Sequence, residues 1–556
     1  MDNYRLLLAL FLSLGIIFIY NQLLEWRHPE LAHPHPKTTP MPSPSSAATH
    51  EAAASGGTAG SEAAPAAQEA APGTTISSGP SRDIVIDTDL YRAEISTRGG
   101  RVESFLLKNY RATSAADSPP YQMVPPADRL PLGLTLERSG VSLDDSDVVY
   151  TSDAPGHLSA AASADVKLTL VGVTPDGLTL RKTFDFRNGS YVFDLDASAT
   201  AASGAKIASI GLAMSRPLTE GAGYRDIPEI QADIANKSVT EMQKALQKGV
   251  APISGRIIYA GFGDRYFLAV MMPVKPTDGT LAMDYAGAEG DANIVFPGSS
   301  NVSARVYFGP KDLQILEAAN PALRKAIDFG WSGIIALPFL QLLELFHHFT
   351  PNYGIAIIVL TVIVRMATLP MSIKGQRSMM KMQRLQPQIE RLREKLKDDQ
   401  ERLNREMVDL YKRNHVNPLG GCLPMAVQLP VFIALYEALL NAIQLRHAPF
   451  FGWIKDLSAP DCLPVSWMPR LPYLDCHGVP VLVGLLVVTG FLQQWMAPKQ
   501  PDPGQQKMMM YMPIVFSLIF VNLPAGLTLY YLASNVLGIA QQFVLNREFQ
   551  QLPPTT

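Results

Sequence analysis

The sequence predicts an α+β membrane protein, with six transmembrane helices and a large antiparallel β-sandwich inserted after the first of them. Three observations carry this. Apolar runs occupy the two ends of the 556 residues, the segment from Asp83 to about Pro310 alternates with period two, and only 17% of residues are charged, against about 25% in soluble domains. A formal net charge of -3 argues against a uniformly basic DNA-binding surface, and three cysteines exclude a disulfide scaffold.

Residues 1–25 read as an N-terminal signal anchor. Leu6 to Tyr20 is almost wholly apolar after Arg5, and Asn21, Gln22, Glu25 and Trp26 follow where signal-peptide cleavage needs small residues. Residues 26–82 are dense in Pro, Ala, Ser, Thr and Gly, the composition of a chain that cannot build a core, and read as a disordered periplasmic tether. Its His28, His33, His35 and His50 lie in this tether with no fold to converge them, so no metal site is expected.

Residues 83–325 read as the β domain. Leu178, Leu180, Phe184 and Phe186 share one strand face, Asn188-Gly189 supplies a turn, and Tyr191, Phe193 and Leu195 resume the alternation. Further short strands follow the same period, with one helical stretch near Thr240 to Gln247. The domain holds no HExxH, GxSxG, P-loop or dinucleotide fingerprint, and Asp185, Asp194 and Asp264 read as turn or surface carboxylates.

Residues 326–351 are nearly apolar, but Pro338, Gln341, Glu344, His347 and His348 interrupt them, as in an interfacial amphipathic helix. Five spans follow, at 352–371, 419–441, 479–496, 508–523 and 525–545. Those from Val479 and Met508 measure only ~24 to 27 Å, which implies local bilayer thinning unless their ends lie a few residues further out. The polar segment 372–418 carries twelve Lys and Arg residues, so it is cytoplasmic by the positive-inside rule. Parity then places both termini, including the 497–507 loop and the short 546–556 tail, inside the cell, with the β domain and the 442–478 loop outside.

The basic segment reads as a helical hairpin. Met379, Met382, Leu385, Ile389, Leu392 and Leu396 follow three-four spacing, Asp398 and Asp399 offer a turn and cap, and Leu403, Met407 and Leu410 resume the stripe. Pro387 kinks its first helix or leaves one hydrogen bond unmade. Lys374, Arg377, Lys381, Arg384, Arg391 and Arg393 form a basic outer face suited to ribosomal RNA or anionic headgroups.

Arg365 interrupts an apolar span, where a central cation costs roughly 2.5 to 3.5 kcal/mol on insertion scales. Thr361 and Thr368 extend a polar stripe on its helix face, Thr528, Tyr531, Asn535 and Gln542 make a comparable stripe on the last helix, and Gln428 is a polar candidate on a third. Together they read as a hydrated intramembrane groove. Snorkelling of Arg365 to the cytoplasmic headgroups is the other reading. Cys462 and Cys476 share one periplasmic loop, where a disulfide or two free thiols are both compatible with the sequence.

The run VNPLGGCLPMAVQLPVFIALYEAL from Val416, the helix TVIVRMATLPM from Thr361, the hairpin segment LQPQIERL, and QQKMMMYMPIVFSLIFVNLPAGLTLYYLASN resemble the core of the YidC-type membrane protein insertases of Gram-negative bacteria. The resemblance covers essentially the whole chain. It implies a β-supersandwich like that of sugar mutarotases without their activity, and five clustered spans around a groove open to cytoplasm and lipid. Arg365 matches the groove arginine, and Thr361 and Tyr531 match positions that contact an incoming helix. The implied work is integration and folding of nascent inner-membrane proteins, alone or with the Sec translocon. The ribosome, signal recognition pathway components and membrane lipids are further implied partners, with no cofactor and no covalent chemistry. The ending NREFQQLPPTT lacks a long basic tail, so ribosome contact would fall to the hairpin and to Lys499 and Lys507. A small-molecule transporter would need duplicated halves, and a membrane-anchored carbohydrate-binding protein or enzyme would need paired polar groups in the β domain; neither pattern is found.

Overall fold

The computed structural model describes residues 80–160, 165–201, 206–217, 228–286, 289–397, 399–414, 416, 423–465, 478–497 and 503–550. The expected signal anchor, nearly all of the tether and the end of the tail lie outside these residues.

Eighteen strands build the β domain among the described residues: β1 (Asp83–Asp87), β2 (Tyr91–Ser96), β3 (Arg101–Arg111), β4 (Pro120–Gln122), β5 (Gly133–Arg138), β6 (Val141–Asp144), β7 (His157–Ser159), β8 (Val166–Val173) and β9 (Leu178–Phe186), then β10 (Val192–Ala201), β11 (Ser209–Pro217), β12 (Glu229–Ile234), β13 (Lys237–Met242), β14 (Ile253–Gly263), β15 (Phe267–Pro273), β16 (Thr277–Ala286), β17 (Glu289–Pro297) and β18 (Asn301–Pro310). They form a five-stranded sheet in the order β4-β3-β2-β1-β7 and a larger one in the order β6-β5-β11-β17-β16-β14-β15-β18-β10-β9-β8, with β12 and β13 branching from β14. Pairing is antiparallel as expected, except that β7 runs parallel to β1. The two sheets close on one core. Phe105 of the small sheet packs 4.9 Å from Phe308 and 6.4 Å from Phe193 of the large one, centroid to centroid, the face-to-face contact of a sandwich.

The expected hairpin forms, with Phe186 opposite Phe193 and Gly189 at φ 71° in the turn. Its apolar residues point inward, and so does Lys182, which occupies the same face and is fully buried. Its Nζ lies 2.7 Å from Asp145 and donates to the carbonyls of Gly99, Gly100 and Leu132 at 2.6, 3.1 and 2.8 Å. Asp145 also accepts from Arg101, Tyr150 and the Leu134 amide. Burial pushes the Lys182 amine below its ordinary value, and Asp145 opposes that shift. Gly99 and Gly100, both at positive φ in the β2–β3 turn, let two carbonyls face the amine. The cluster therefore rivets the small sheet to the large one. Asp264, expected as a turn carboxylate, accepts from the amides of Tyr266 and Phe267 between β14 and β15 and pairs with Arg216 at 3.1 Å.

Nine α-helices are described: the short α1 (Gln243–Gln247) and α2 (Leu313–Ala319), then α3 (Gly333–Phe349), α4 (Tyr353–Lys395), α5 (Gln400–Arg413), α6 (Leu423–Asn441), α7 (Val481–Met496), α8 (Pro503–Phe520) and α9 (Ala525–Gln550). The expected break between a span ending at residue 371 and a separate hairpin helix is absent. α4 runs unbroken for 43 residues through Pro370 and Pro387, so span and hairpin arm are one rod ~65 Å long. A proline removes one backbone donor, and packing along the rest of the rod outweighs that loss. The hairpin itself forms: Asp399 caps α5 by accepting from the Arg402 amide, and Leu385, Ile389 and Val416 make a small core with Met407 and Leu410 against it. By length and apolarity, Gly330–Phe349 and Tyr353–Lys395 are each able to cross a bilayer. The first, expected at the interface, is the less apolar of the two. α6, α7 and α8 carry shorter apolar stretches.

The β domain is clamped to one end of the helices. After α6, Gln444 donates to Asp312 at 2.9 Å and to Glu344 of α3 at 2.8 Å. Arg446 donates to the carbonyl of Arg111 at 2.7 Å, and its guanidinium lies 5.0 Å from the Tyr121 ring and 5.2 Å from that of Phe267. Arg446→Ala is expected to loosen this clamp by about 1–2 kcal/mol. Hydrogen exchange should then accelerate in residues 108–122 and 442–450 while the β9–β10 hairpin stays protected.

Candidate functional site

The helices pack so that α4 lies against α6 and α9, and α9 lies against α7. Arg365, about three turns into α4, meets α9: its Nε donates to Ser534 Oγ at 3.0 Å and its Nη2 to the Ser534 carbonyl at 2.7 Å. Among the described residues no carboxylate lies within ion-pair distance of it. Its charge is therefore held by neutral dipoles rather than cancelled.

Beside it opens a cavity of about 30 Å³ lined by Arg365, Thr368, Met371, Ser372, Val427 and Gln428, room for about two waters. Three of the expected groove residues, Arg365, Thr368 and Gln428, thus meet in one place. Asn535 turns instead toward α7, where its amide donates to Thr489 Oγ1 at 3.4 Å. Tyr531 sits in an aromatic cluster, 4.8 Å from Phe520 and 5.3 Å from Phe432. Thr361 and Thr528 are fully buried, each with its hydroxyl turned back to a carbonyl four residues earlier, Ile357 and Pro524. They line helix contacts rather than the cavity.

The residues that sequence reasoning did not single out lie one position away on α9. Tyr530, Ser534, Gly538 and Gln541 form the face toward α4: Ser534 binds Arg365, Gln541 donates to Ser372 at 3.0 Å and to Gln376 at 3.3 Å, and a Cβ on Gly538 would lie 2.9 Å from Arg365 Nη2. Their four-four-three spacing with small residues at the centre is the signal for closest helix approach.

On the basic hairpin, Lys374, Arg377, Lys381, Arg391 and Arg393 are exposed, with Arg377 also 3.3 Å from Glu548 of α9, whereas Arg384 is half-buried and engaged. Cys462 is disulfide-bonded, and Cys476 lies outside the described residues. Large apolar side chains stand exposed on the outer faces of α7, α8 and α9, among them Val488, Trp495, Leu518 and Phe543, a surface too apolar for contact with water.

Residues 83–342 match the family described as the YidC periplasmic domain, and residues 345–552 match the family described as the 60Kd inner membrane protein. A curated membrane protein insertase YidC of Syntrophus aciditrophicus is 35% identical over 98% of this chain and 99% of its own length. One of Geobacter metallireducens is 36% identical over 98% of each. A solved structure of an active YidC insertase covers 83% of this chain and 92% of that one at 17% identity, with a TM-score of 0.35. The two families together span the β domain and the helices with the boundary falling in α3, and this chain belongs to the YidC family of membrane protein insertases.

Proposed function

We propose that the chain integrates nascent inner-membrane proteins through a hydrated groove whose positive centre is Arg365, and helps them fold. The observation that carries this reading is a guanidinium held by Ser534, with no counter-ion among the described residues, beside a polar cavity in an apolar helix bundle. A polar substrate flank enters such a groove without leaving water, and an acidic residue in it is drawn toward Arg365. Transfer of the apolar segment into lipid then drives release. No covalent step is required.

In this reading the anchor, α4, α6, α7, α8 and α9 make six crossings, α3 lies at the interface, both termini are cytoplasmic, and the β domain is periplasmic. The exposed basic face of the hairpin supports the orientation. α7 has 16 residues, ~24 Å of helix, and a crossing that short thins the bilayer along the substrate's path. The basic face receives ribosomes and signal recognition components, and the Sec translocon shares some substrates. Cys462 pairs with Cys476, since Cys422 lies on the cytoplasmic side in this topology.

Photocrosslinking from positions 368 and 428 to a stalled nascent membrane protein tests the groove. Adducts are expected at both positions and not from an outward position such as Val488. Their absence at 368 and 428, with insertion intact, would move the substrate path elsewhere.

A further inference from the structure

The contact between α4 and α9 shows how an uncompensated charge is kept in place. Five N–H groups leave a guanidinium; Ser534 takes two of them, one on its hydroxyl and one on its carbonyl, at 3.0 and 2.7 Å. One turn further along α9, Gly538 is buried. A Cβ there would lie 2.9 Å from Arg365 Nη2 and 2.7 Å from Gln493 Nε2, the latter reaching in from α7. Both approaches are closer than real Cβ atoms tolerate, so the gap left by the missing side chain is occupied by the two polar groups.

We infer that Ser534 and Gly538 form a seat for Arg365. Ser534 is a positioning residue that fixes the guanidinium with neutral acceptors, and Gly538 supplies the space in which it and the Gln493 amide lie. A carboxylate at this place would hold the arginine equally well but would cancel the charge offered to substrate. A hydroxyl and a carbonyl hold it and leave the charge available to the cavity that Arg365 lines together with Thr368 and Gln428. The seat thereby sets the preference for acidic translocated segments. This inference rests on the groove reading above.

The test is reconstituted insertion of two substrates that differ only in the translocated tail, one acidic and one neutral, by the full-length protein. S534A and G538A are each expected to lower the acidic-to-neutral rate ratio by about threefold to tenfold, the scale of one hydrogen bond to a charged group, with neutral-tail insertion and thermal unfolding close to wild type. S534T, which keeps the hydroxyl, should restore the ratio. Helix propensity favours alanine over glycine, so a lower ratio in G538A reports the occupied gap rather than a weakened helix. Should G538A not fold, the S534A and S534T pair decides. If R365A removes the acidic preference while S534A and G538A retain it, or if S534A slows both substrates equally, the seat is overturned and the groove reading stands. Preference that survives R365A overturns both.

Discussion

Arg365→Ala is expected to slow insertion of substrates with acidic translocated tails by about thirtyfold to a hundredfold, and that of neutral-tailed substrates by no more than about threefold. The figure follows from Coulomb attraction between unit charges ~6 Å apart at an effective dielectric near 20, about 2–3 kcal/mol. Arg365 carries its charge next to a cavity lined by Thr368, Gln428 and Ser372 and is bound by Ser534, so no ion pair must break before an acidic substrate group approaches. Arg365→Lys should retain most of the acidic preference, because it keeps the charge and gives up only the forked geometry. Proteoliposome insertion at two salt concentrations measures this. Equal slowing of acidic and neutral tails in R365A would mean that the arginine matters to packing and not to electrostatics.

The second large effect lies in the β domain. Lys182→Met is expected to destabilise it by about 3–5 kcal/mol, because Asp145 loses one of its two buried cationic partners and three carbonyls lose a donor. Asp145→Asn should cost a similar amount, since it also weakens the pairing with Arg101 and leaves Lys182 without its counter-charge. The double variant should be less destabilised than the sum of the two, with a coupling of about 1–3 kcal/mol. Thermal unfolding of the full-length protein, with hydrogen exchange resolving the β9–β10 hairpin and the β2–β3 turn, reads all three. Strict additivity would show that Lys182 and Asp145 act independently and that the rivet is not one unit. Insertion by the helices is expected to persist in K182M at temperatures below its lowered transition, since the cluster does not contact α4 or α9.

Lys182 also shows where strand periodicity is silent. Leu178, Leu180, Phe184 and Phe186 place the face of β9 correctly, and the same alternation puts Lys182 between them, yet a lysine read alone belongs to the surface. Only its burial beside Asp145, 37 positions away in sequence, supplies the partner that makes an inward amine tolerable. The groove behaves in the same way. A stripe through Thr528, Tyr531 and Asn535 found the right helix, but the face toward Arg365 is rotated by one residue, to Tyr530, Ser534, Gly538 and Gln541. Helical periodicity gives the set of possible faces. Which one meets a neighbour depends on how three helices pack, and small residues at the closest approach outweigh the larger polar ones.

The two solvents of this protein are legible from local pattern, in the period-two domain and the apolar spans, along with the basic hairpin and the single arginine where a charge is expensive. Those follow from local pattern, length and transfer energy, which need no partner to be read. Packing selects what holds that arginine, that the span and the hairpin arm are one 43-residue helix, that Arg446 clamps the β domain to the helices, and that a buried lysine joins the two sheets. Each of these depends on groups far apart in sequence. A polar or charged side chain has many possible partners until the fold places one within 3 Å, and only then do desolvation and hydrogen bonding select among them.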